Sequence, residues 1–425
     1  MKHTFRECRI ITLLSFAIMY CFVYLARFNV NNLMNYMSED LAIKDAPADL
    51  ISMGVFLTYA LGSFINGYLA DRYGGKNFVI MGALVSVLMN LLVVIQTSWK
   101  GLFALWMING YFQSMIWVGG ISLLANWWEE GSRGKGIGIA NFFSGMSHTV
   151  AYALPIMIMS MFPAFEWRGP FVIPIIILLI FVGLFALFAK ERPEDVGAAP
   201  YEQKIERHIA RESYLMEIKS EGGNPYAFFF RNHSFLWWCA IAMLSSICRY
   251  GLLNWIPLYY QNSEGDVLIS ETFSNLTLPL GMAFGTLVIT WIAGTKMYEN
   301  KGVIVTAMAA VCGTLVVVFP MISDATATLV GIFITGFVLY GINGILWVHA
   351  IDQGCRAYAG TAAGILNGFA YLGAFLEGFI FPMVIRTFHS TISVFVVMEI
   401  VCLAMIACGM VVSKKDIIIE PEIHD

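Results

Sequence analysis

The chain has 425 residues, of which 58% are hydrophobic and 13% are charged, and its net charge at pH 7 is −4. Because a soluble domain normally carries about a quarter charged residues, this composition excludes an ordinary soluble protein and predicts a polytopic membrane protein. The eight cysteines lack CxxC spacing and neighbouring histidines, so we expect neither a disulfide framework nor a metal site. No cofactor and no nucleic-acid partner are expected.

Twelve apolar stretches are long enough to cross about 30 Å of hydrocarbon as helices. A polar stretch rich in Glu, Lys and Arg divides them into two groups of six. The sequence therefore predicts an all-α membrane protein with six-helix bundles at residues 1–190 and 234–425, the second ending in a short tail, and a linker at 191–233. The spans are predicted at 10–33, 50–70, 77–97, 101–126, 136–161, 170–190, 234–261, 273–294, 302–322, 326–350, 360–386 and 390–412.

The placement of lysine and arginine predicts which side of the membrane each loop faces. Nineteen of the 25 basic residues fall in the termini, the linker and the loops on one side. Both termini and the linker are therefore predicted to be cytoplasmic. The opposite loops carry four basic residues and an acidic cluster after the first span: Lys44, Lys100, Arg168 and Arg386, then Glu39, Asp40, Asp45 and Asp49.

Two arginines lie inside apolar spans, Arg27 in the first span of the first group and Arg249 in the first span of the second. A charged side chain at bilayer depth costs roughly 3 kcal/mol or more, so such residues usually face a cavity or a partner. The matching positions predict one central anion site, because guanidinium groups bind phosphate oxygens in a bidentate fashion. The alternative is that each arginine is a structural residue paired with carbonyl groups or a local acid.

The loop between spans two and three reads Gly67-Tyr-Leu-Ala-Asp71-Arg72-Tyr-Gly-Gly75-Lys76. It resembles the signature loop G-x-L-a-D-r-x-G-r-[KR] of the major facilitator superfamily, and two groups of six spans fit the same family. The resemblance implies two pseudo-symmetric bundles and a site at mid-membrane that opens alternately to either side. We expect Gly67 to permit close helix packing, and Asp71 to pair with basic groups and cap a neighbouring helix.

Several segments resemble a narrower family, the organophosphate:phosphate antiporters. Span one contains Tyr20…Tyr24-Leu-Ala-Arg27-Phe-Asn29, similar to Y-x-x-x-Y-L-x-R-x-N, and span seven contains Arg249-Tyr250-Gly251-Leu-Leu-Asn-Trp255-x-Pro257, similar to R-Y-G-x-x-D-W-x-P. The resemblance implies that Arg27 and Arg249 hold the phosphate of the substrate together. Further similar segments are Tyr111-Phe-Gln113…Trp117 in span four and Gly360-Thr361-Ala362-Ala363-Gly364 in span eleven.

The chain departs from this family pattern at three positions near the arginines. A lysine that some members carry on span two falls on Ser63, a tyrosine before the span-seven arginine falls on Ser246, and the functional histidine of span five falls on Ser144. His148 lies one helical turn after Ser144, where it either replaces that histidine with a shifted substrate or is an ordinary core residue. The site is less basic and less aromatic, which argues against inorganic phosphate or glycerol phosphate as the substrate.

Span eleven carries an added acid, Glu377. If it faces the cavity, it offsets one arginine or takes up a proton as a coupling group; if it lies near the outer end, it is hydrated or paired with Arg386. Other polar residues of the spans are candidates for contacting the substrate, although such residues also hold membrane helices together. They are Tyr20, Tyr24, Asn141, Tyr340, Asn343, Asn367 and Tyr371.

Three functions fit these features, and none is enzymatic, since the sequence has no P-loop or nucleophile elbow. The first is a secondary carrier that exchanges a phosphorylated metabolite for phosphate or another anion across a prokaryotic cytoplasmic membrane. The second is a proton-coupled symporter of a non-phosphorylated sugar acid or carboxylate. The third is a membrane sensor of a sugar phosphate with a kinase partner, since the resembled family includes such a branch. A monomer is expected, and Tyr201 to Lys219 is expected to form an amphipathic helix on the cytoplasmic surface.

Overall fold

A computed structural model describes residues 5–38, 41, 48–262, 271–322 and 324–415. The described chain is helical and contains no β-strand, as expected where the hydrocarbon offers no partner to an unpaired backbone group. Four residues of the predicted outer loop, Glu39, Asp40, Lys44 and Asp45, lie outside the described residues. The helices are α1 (Phe5–Val23), α2 (Leu25–Met37), α3 (Ala48–Tyr73), α4 (Gly75–Val94), α5 (Trp99–Ala125), α6 (Arg133–Met161), α7 (Gly169–Phe188), α8 (Glu206–Ser220), α9 (Tyr226–Arg231), α10 (His233–Asn262), α11 (Glu271–Ala293), α12 (Lys301–Val318), α13 (Ala325–Phe388) and α14 (Ile392–Lys415).

Ten helical segments of the described chain are long and apolar enough to cross a membrane. One of them, α13, has 64 residues and leaves helical geometry at Cys355 and Tyr358. Because a straight helix of that length would measure about 96 Å, α13 supplies two crossings. A further crossing is α5, whose 27 residues are less apolar because they include Asn109 and Gln113. With α1 and α2 forming one crossing, the helical architecture predicted from the sequence is confirmed.

The most extensive packing between the first six crossings and the second six is in two helix pairs, α3 with α13 and α6 with α11. Glycines permit the close approach in both pairs. A Cβ atom on Gly67 of α3 would lie 2.3 Å from the carbonyl oxygen of Gly360, and one on Gly134 of α6 would lie 2.6 Å from Cα of Gly294. The expected packing role of Gly67 is therefore seen, and its partner is a helix of the second six crossings.

The linker runs over one face of the protein, which we call the linker face. It contains α8 and the short α9. The predicted amphipathic helix is confirmed, but it begins at Glu206 rather than near Tyr201. One side of α8 is buried at His208, Glu212 and Leu215 and packs against α13.

Candidate functional site

Arg27 lies near the start of α2, and three side chains from three other helices hold its guanidinium. Nε donates to Oε1 of Gln113 (2.6 Å), one terminal nitrogen donates to the Tyr371 hydroxyl (2.7 Å), and the other donates to the Tyr59 hydroxyl (3.4 Å). The guanidinium carbon lies 4.6 Å from the ring centre of Tyr24. These neutral partners position the cation without neutralising it. The bond to Tyr371 also connects the first six crossings with the second.

Three side-chain amides fix the backbone beside Arg27 by converging on one carbonyl. Asn90 of α4, and Asn109 and Gln113 of α5, donate to the carbonyl oxygen of Ala26 at 3.1, 3.1 and 2.9 Å. Buried polar groups must be hydrogen-bonded, and a fully satisfied network favours one arrangement of the helices that carry it. The position of Arg27 is therefore set by α4 and α5 together.

Arg249 lies in the middle of α10 and is also buried. Its guanidinium carbon lies 4.5 Å from the ring centre of Tyr250 and 5.5 Å from that of Tyr340. Within the described chain, its buried Nε has no hydrogen-bond partner. Attraction to aromatic ring faces stabilises a cation without using its N–H groups. Arg249 therefore keeps a donor that an anionic ligand can use.

A cavity of about 20 Å³ lies beside Arg249, which is part of its wall. Arg27 is not part of the wall, but it donates to two wall residues, Tyr59 and Tyr371. One water molecule needs about 10–15 Å³, so this conformation is contracted, and a metabolite requires the helices to separate. Tyr59, Trp117, Ser144, Trp347 and Ala370 contribute to its wall. The structure also brings eight of the predicted site residues to this wall: Tyr20, Tyr24, Asn141, Arg249, Tyr340, Asn343, Asn367 and Tyr371.

Three further hydrogen bonds join the two groups of crossings at or next to the cavity wall, from Asn343 to Asn141 (3.5 Å), between Tyr340 and Ser144 (3.1 Å), and from Asn367 to Ser63 (3.2 Å). Ser63 and Ser144 stand where the resembled family places a lysine and a histidine. Small hydroxyl residues at these positions allow the second group of helices to approach the first directly.

Tyr59 is a site residue that the sequence did not single out. Its ring stacks on that of Tyr371 with centroids 3.9 Å apart, and its hydroxyl accepts from Arg27. A tyrosine in an apolar span carries no charge signal, so only the fold shows that it faces the arginine. Gln113 was included only through the family resemblance.

His148 packs among aromatic side chains and is not part of the cavity wall. Its Nδ1 lies 3.3 Å from the carbonyl oxygen of Ser144, and its ring centre lies 4.6 Å from that of Tyr24 and 5.4 Å from that of Phe28. Nε2 has no hydrogen-bond partner among the residues that the structure describes. This placement favours the interpretation of His148 as a core residue that supports Tyr24.

Glu377 is 2% exposed and lies in the second part of α13. Its carboxylate accepts hydrogen bonds from Nε1 of Trp255 (2.8 Å) and Nδ2 of Asn254 (3.3 Å), both on α10. It is buried rather than hydrated, and it is not among the residues that line the central cavity. The structure therefore ties Glu377 to the helix that carries Arg249.

Asp71 of the signature loop caps the second part of α13. Its carboxylate accepts from the backbone N–H groups of Gly360 (2.8 Å) and Thr361 (2.6 Å) and from the hydroxyls of Thr361 (2.8 Å) and Ser122 (2.7 Å). An acceptor at the start of a helical segment satisfies donors that have no partner within the helix. Lys219 of α8 donates to the carbonyl oxygen of Asp71 (2.9 Å). Burial lowers the pKa of the Lys219 amine, and the Asp71 carboxylate opposes that shift.

The remaining residues of the signature loop form the turn into α4. Gly74 has a φ of +97°, a conformation that side chains disfavour. The backbone N–H groups of Gly75 and Lys76 donate to the Glu191 carboxylate at 2.9 and 2.7 Å. Arg72 is exposed and lies over the ring of Tyr73. These residues shape the linker face and are remote from the cavity wall.

Asp352 is the centre of a buried ion cluster at the linker face, and no member of this cluster was a predicted site residue. Its carboxylate accepts from Arg133 (2.5 Å) and from the Tyr298 hydroxyl (2.5 Å), and it lies 2.8 Å from Nζ of Lys301. Arg133 belongs to α6, so this ion pair joins the first six crossings to the second. Opening of the linker face must break it.

The linker helix adds a further contact to the first six crossings, between His208 of α8 and Glu130 of the loop before α6. The Glu130 carboxylate also accepts from the backbone N–H groups of Lys204 and Ile205, both at 3.0 Å. Burial raises the pKa of this carboxyl, but the bonds from His208 and from the backbone outweigh burial and hold the pKa below its usual value. The stabilisation is therefore present at neutral pH and is lost as the pH falls through the lowered pKa.

Comparison with known proteins finds one matching family model and several similar proteins. The family model described as Major Facilitator Superfamily matches residues 16–376, which is most of the chain. A glycerol-3-phosphate transporter of Bacillus subtilis (strain 168) is 25% identical over 386 residues, covering 88% of this chain and 85% of the relative. A probable hexose phosphate transport protein of Chlamydia pneumoniae is 26% identical over 398 residues, with 89% and 85% covered. The membrane sensor protein UhpC of Escherichia coli (strain K12) is 25% identical over 386 residues, with 87% and 84% covered.

Proposed function

Because the chain belongs to the Major Facilitator Superfamily, we propose that it is a secondary transporter that exchanges an anionic, phosphorylated small metabolite for phosphate or another anion. Relatives named as glycerol-3-phosphate and hexose phosphate transporters support this substrate class. The observation that carries the proposal is that two buried arginines are associated with one cavity, Arg249 in its wall and Arg27 bonded to the wall residues Tyr59 and Tyr371. Arg27 is held by neutral partners, and Arg249 keeps a free donor.

The charge of the site accounts for exchange rather than one-way release. An empty site carries two guanidinium charges, and burying uncompensated charge is costly. A phosphate dianion neutralises both arginines through short, charge-assisted hydrogen bonds. The carrier therefore changes conformation readily when it is loaded and slowly when it is empty.

Alternating access follows from the contacts between the two groups of crossings. We propose that residues 1–190 rock against residues 234–425. The linker face is held closed by Asp352 and by the Asp71 cap. A substrate that enters from the opposite face would replace hydrogen bonds at the cavity wall, such as that of Tyr340 with Ser144. Its phosphate would then lie between Arg27 and Arg249.

The charge of the loops supports a proposed orientation in the membrane. We propose a monomer in a prokaryotic cytoplasmic membrane, with both termini and the linker face in the cytoplasm. Basic residues concentrate on cytoplasmic loops, and the linker face carries Arg207, Arg211, Lys219 and Arg356.

A thermal-shift screen of the purified protein tests the substrate class. A ligand that binds only the folded state raises the apparent melting temperature by mass action. We expect sugar phosphates or phosphoglycerates to stabilise the protein more than matched non-phosphorylated acids or alcohols do. The preference should disappear in Arg27→Ala and Arg249→Ala and persist in Arg231→Ala, which removes an exposed arginine at the end of α9. Stabilisation by carboxylates alone would contradict the proposal.

Glu377 motivates the second candidate, a proton-coupled symporter of a sugar acid or carboxylate, because a buried carboxylate on α13 contacts the helix of Arg249. Under the proposed exchange mechanism, Glu377→Gln should retain exchange to within a few-fold, since Trp255 and Asn254 can still bond to a glutamine oxygen. The measurement is uptake into proteoliposomes with and without a pH gradient. Glu399→Gln, in α14, is the matched control. Gradient-driven uptake in the wild type that only Glu377→Gln removes would establish the symporter instead.

The third candidate, a membrane sensor, is separated by the same flux assay. UhpC is named as a sensor, and it is as similar to this chain as the named transporters are. A sensor requires ligand binding with little flux and a kinase partner whose activity follows occupancy. Rapid exchange by the purified protein alone would support the transporter.

A further inference from the structure

A second cavity, of about 70 Å³, lies under α8 on the linker face. It is separate from the central site, since none of its lining residues belongs to the central wall. It is bounded by α8, by the first turns of α10 and α12, and by α13 before the break. The lining residues that matter here are Arg207, Arg211, Ser234, Lys301, His349 and Asp352.

The charge around this cavity is positive. Arg207 pairs with Glu299 (2.5 Å), and Lys301 lies 2.8 Å from Asp352. Arg211 donates to the backbone carbonyl of Asp352 (3.0 Å) rather than to its carboxylate. Three cations and two carboxylates therefore line the cavity. Arg133, which pairs with Asp352, and Glu130, which pairs with His208, lie outside the lining and add one charge of each sign. With the histidines counted as neutral, the surroundings of the cavity therefore carry one net positive charge.

Further polar groups line the same cavity. His349 is 4% exposed, and its Nε2 has no hydrogen-bond partner among the described residues. Its ring is fixed by stacking on Trp238 with centroids 4.3 Å apart. Ser234 lies in the first turn of the 30-residue α10, and Lys301 begins the 18-residue α12. Helix N-termini present free N–H groups and favour negative charge.

We propose that this cavity binds a tetrahedral oxyanion of the phosphate or sulfate class, supplied either by a free anion or by the headgroup of an anionic lipid. The volume admits several water molecules at about 10–15 Å³ each, or one such oxyanion. Arg207 and Arg211 approach from α8, and Lys301 and His349 approach from the second six crossings. This inference does not depend on the identity of the transported substrate.

Occupancy would regulate opening of the linker face. A bound oxyanion joins α8 to α10, α12 and α13, while α8 is already bonded to the first six crossings through His208 and Glu130. Both groups of crossings are thereby tied to one helix. A ligand that binds only the closed arrangement shifts the equilibrium towards it.

The test measures binding of radiolabelled inorganic phosphate and sulfate to the Arg27→Ala/Arg249→Ala variant, in which the central site is disabled. We expect one saturable equivalent per protein in neutral-lipid nanodiscs at constant ionic strength set with chloride. Arg211→Gln in this background should weaken binding by roughly tenfold or more, as expected for a lost charged hydrogen bond. Arg231→Gln removes an exposed charge close to the cavity but outside it, and should leave the affinity nearly unchanged.

Absence of saturable binding in the double variant would overturn the proposal, as would equal weakening by Arg211→Gln and Arg231→Gln. Nanodiscs containing anionic lipid distinguish the two sources, because a lipid headgroup in the cavity would exclude the labelled anion, whereas a free-anion site would keep it. If the double variant cannot be purified, the wild type serves, and Arg211→Gln should weaken one equivalent of its binding while Arg231→Gln should weaken none. Failure of the substrate screen alone would leave this result intact, so the two proposals fail separately.

Discussion

Replacing Arg27 with lysine is expected to lower substrate exchange by about 100-fold or more, although the positive charge is kept. The guanidinium donates in three directions, to Gln113, Tyr371 and Tyr59, while it lies beside the central cavity. A lysine ammonium is a point charge on a flexible stem and cannot maintain these bonds while it binds two phosphate oxygens side by side. The measurement is the initial rate of exchange in proteoliposomes loaded with the substrate identified by the thermal-shift screen.

Arg231→Lys is the matched control for this substitution, because Arg231 is an exposed arginine at the end of α9. Both variants conserve charge, so a general effect on purification or reconstitution would lower the two rates together. Arg249→Lys should resemble Arg27→Lys, because its buried Nε is the free donor of the site. Near-normal exchange by Arg27→Lys would remove Arg27 from phosphate binding and leave it a structural residue.

The arginine pair could be predicted because charge inside an apolar span is a strong and local signal. The network that positions Arg27 could not. Asn90, Asn109 and Gln113 meet at the carbonyl of Ala26 only because three helices converge there. Each of them is an ordinary polar residue in its own span, and the sequence does not state which helices touch. The spacing of Asn109 and Gln113, four residues apart on one face, was the only local signal.

Helical phase also left His148 and Glu377 undecided, and packing resolves where they lie. His148 is on the helix that contributes Asn141 and Ser144 to the cavity wall, yet its ring turns towards Tyr24 and Phe28. Glu377 is on α13, whereas its partners Trp255 and Asn254 are on α10. The periodicity of α13 alone could not indicate a contact with another helix. Similarly, the sequence predicted two spans at 326–350 and 360–386, whereas the structure joins them across the break at Cys355 and Tyr358.

The ion cluster at the linker face has a signal in the sequence. Residues 129–133 read Glu-Glu-Gly-Ser-Arg and follow span four, and residues 352–356 read Asp-Gln-Gly-Cys-Arg and follow span ten. The two segments occupy equivalent places in the two groups of six spans and share an acid, a glycine and an arginine at the same spacing. The structure then pairs Arg133 of the first segment with Asp352 of the second. This repeat makes the two segments candidates for a contact between the two groups.

Asp352→Asn is expected to destabilise the closed linker face by about 3–5 kcal/mol, the usual cost of removing one partner from a buried ion pair. Arg133 and Lys301 are 0% and 6% exposed, so both cations would be left in a buried setting without their carboxylate. The protein should respond by populating conformations in which this face is open and hydrated. Cys355, which is 1% exposed and three residues from Asp352, is a native reporter of that change. We expect its alkylation by a maleimide, followed by mass spectrometry of the peptide, to be much faster in the variant.

Glu299→Gln provides the control for Asp352→Asn, because it removes a carboxylate from an ion pair on the same face whose side chains are 39% and 56% exposed. Such an exposed pair contributes only about 0–1 kcal/mol, so Cys355 should stay protected in this variant. A double-mutant cycle with Arg133→Gln assigns the effect to the ion pair, since the two substitutions together should cost less than the sum of each alone. If Cys355 is equally protected in Asp352→Asn and Glu299→Gln, the cluster does not hold the linker face closed. Closure would then depend on the Asp71 cap, which shares no side chain with the cluster and can be tested separately by Asp71→Asn.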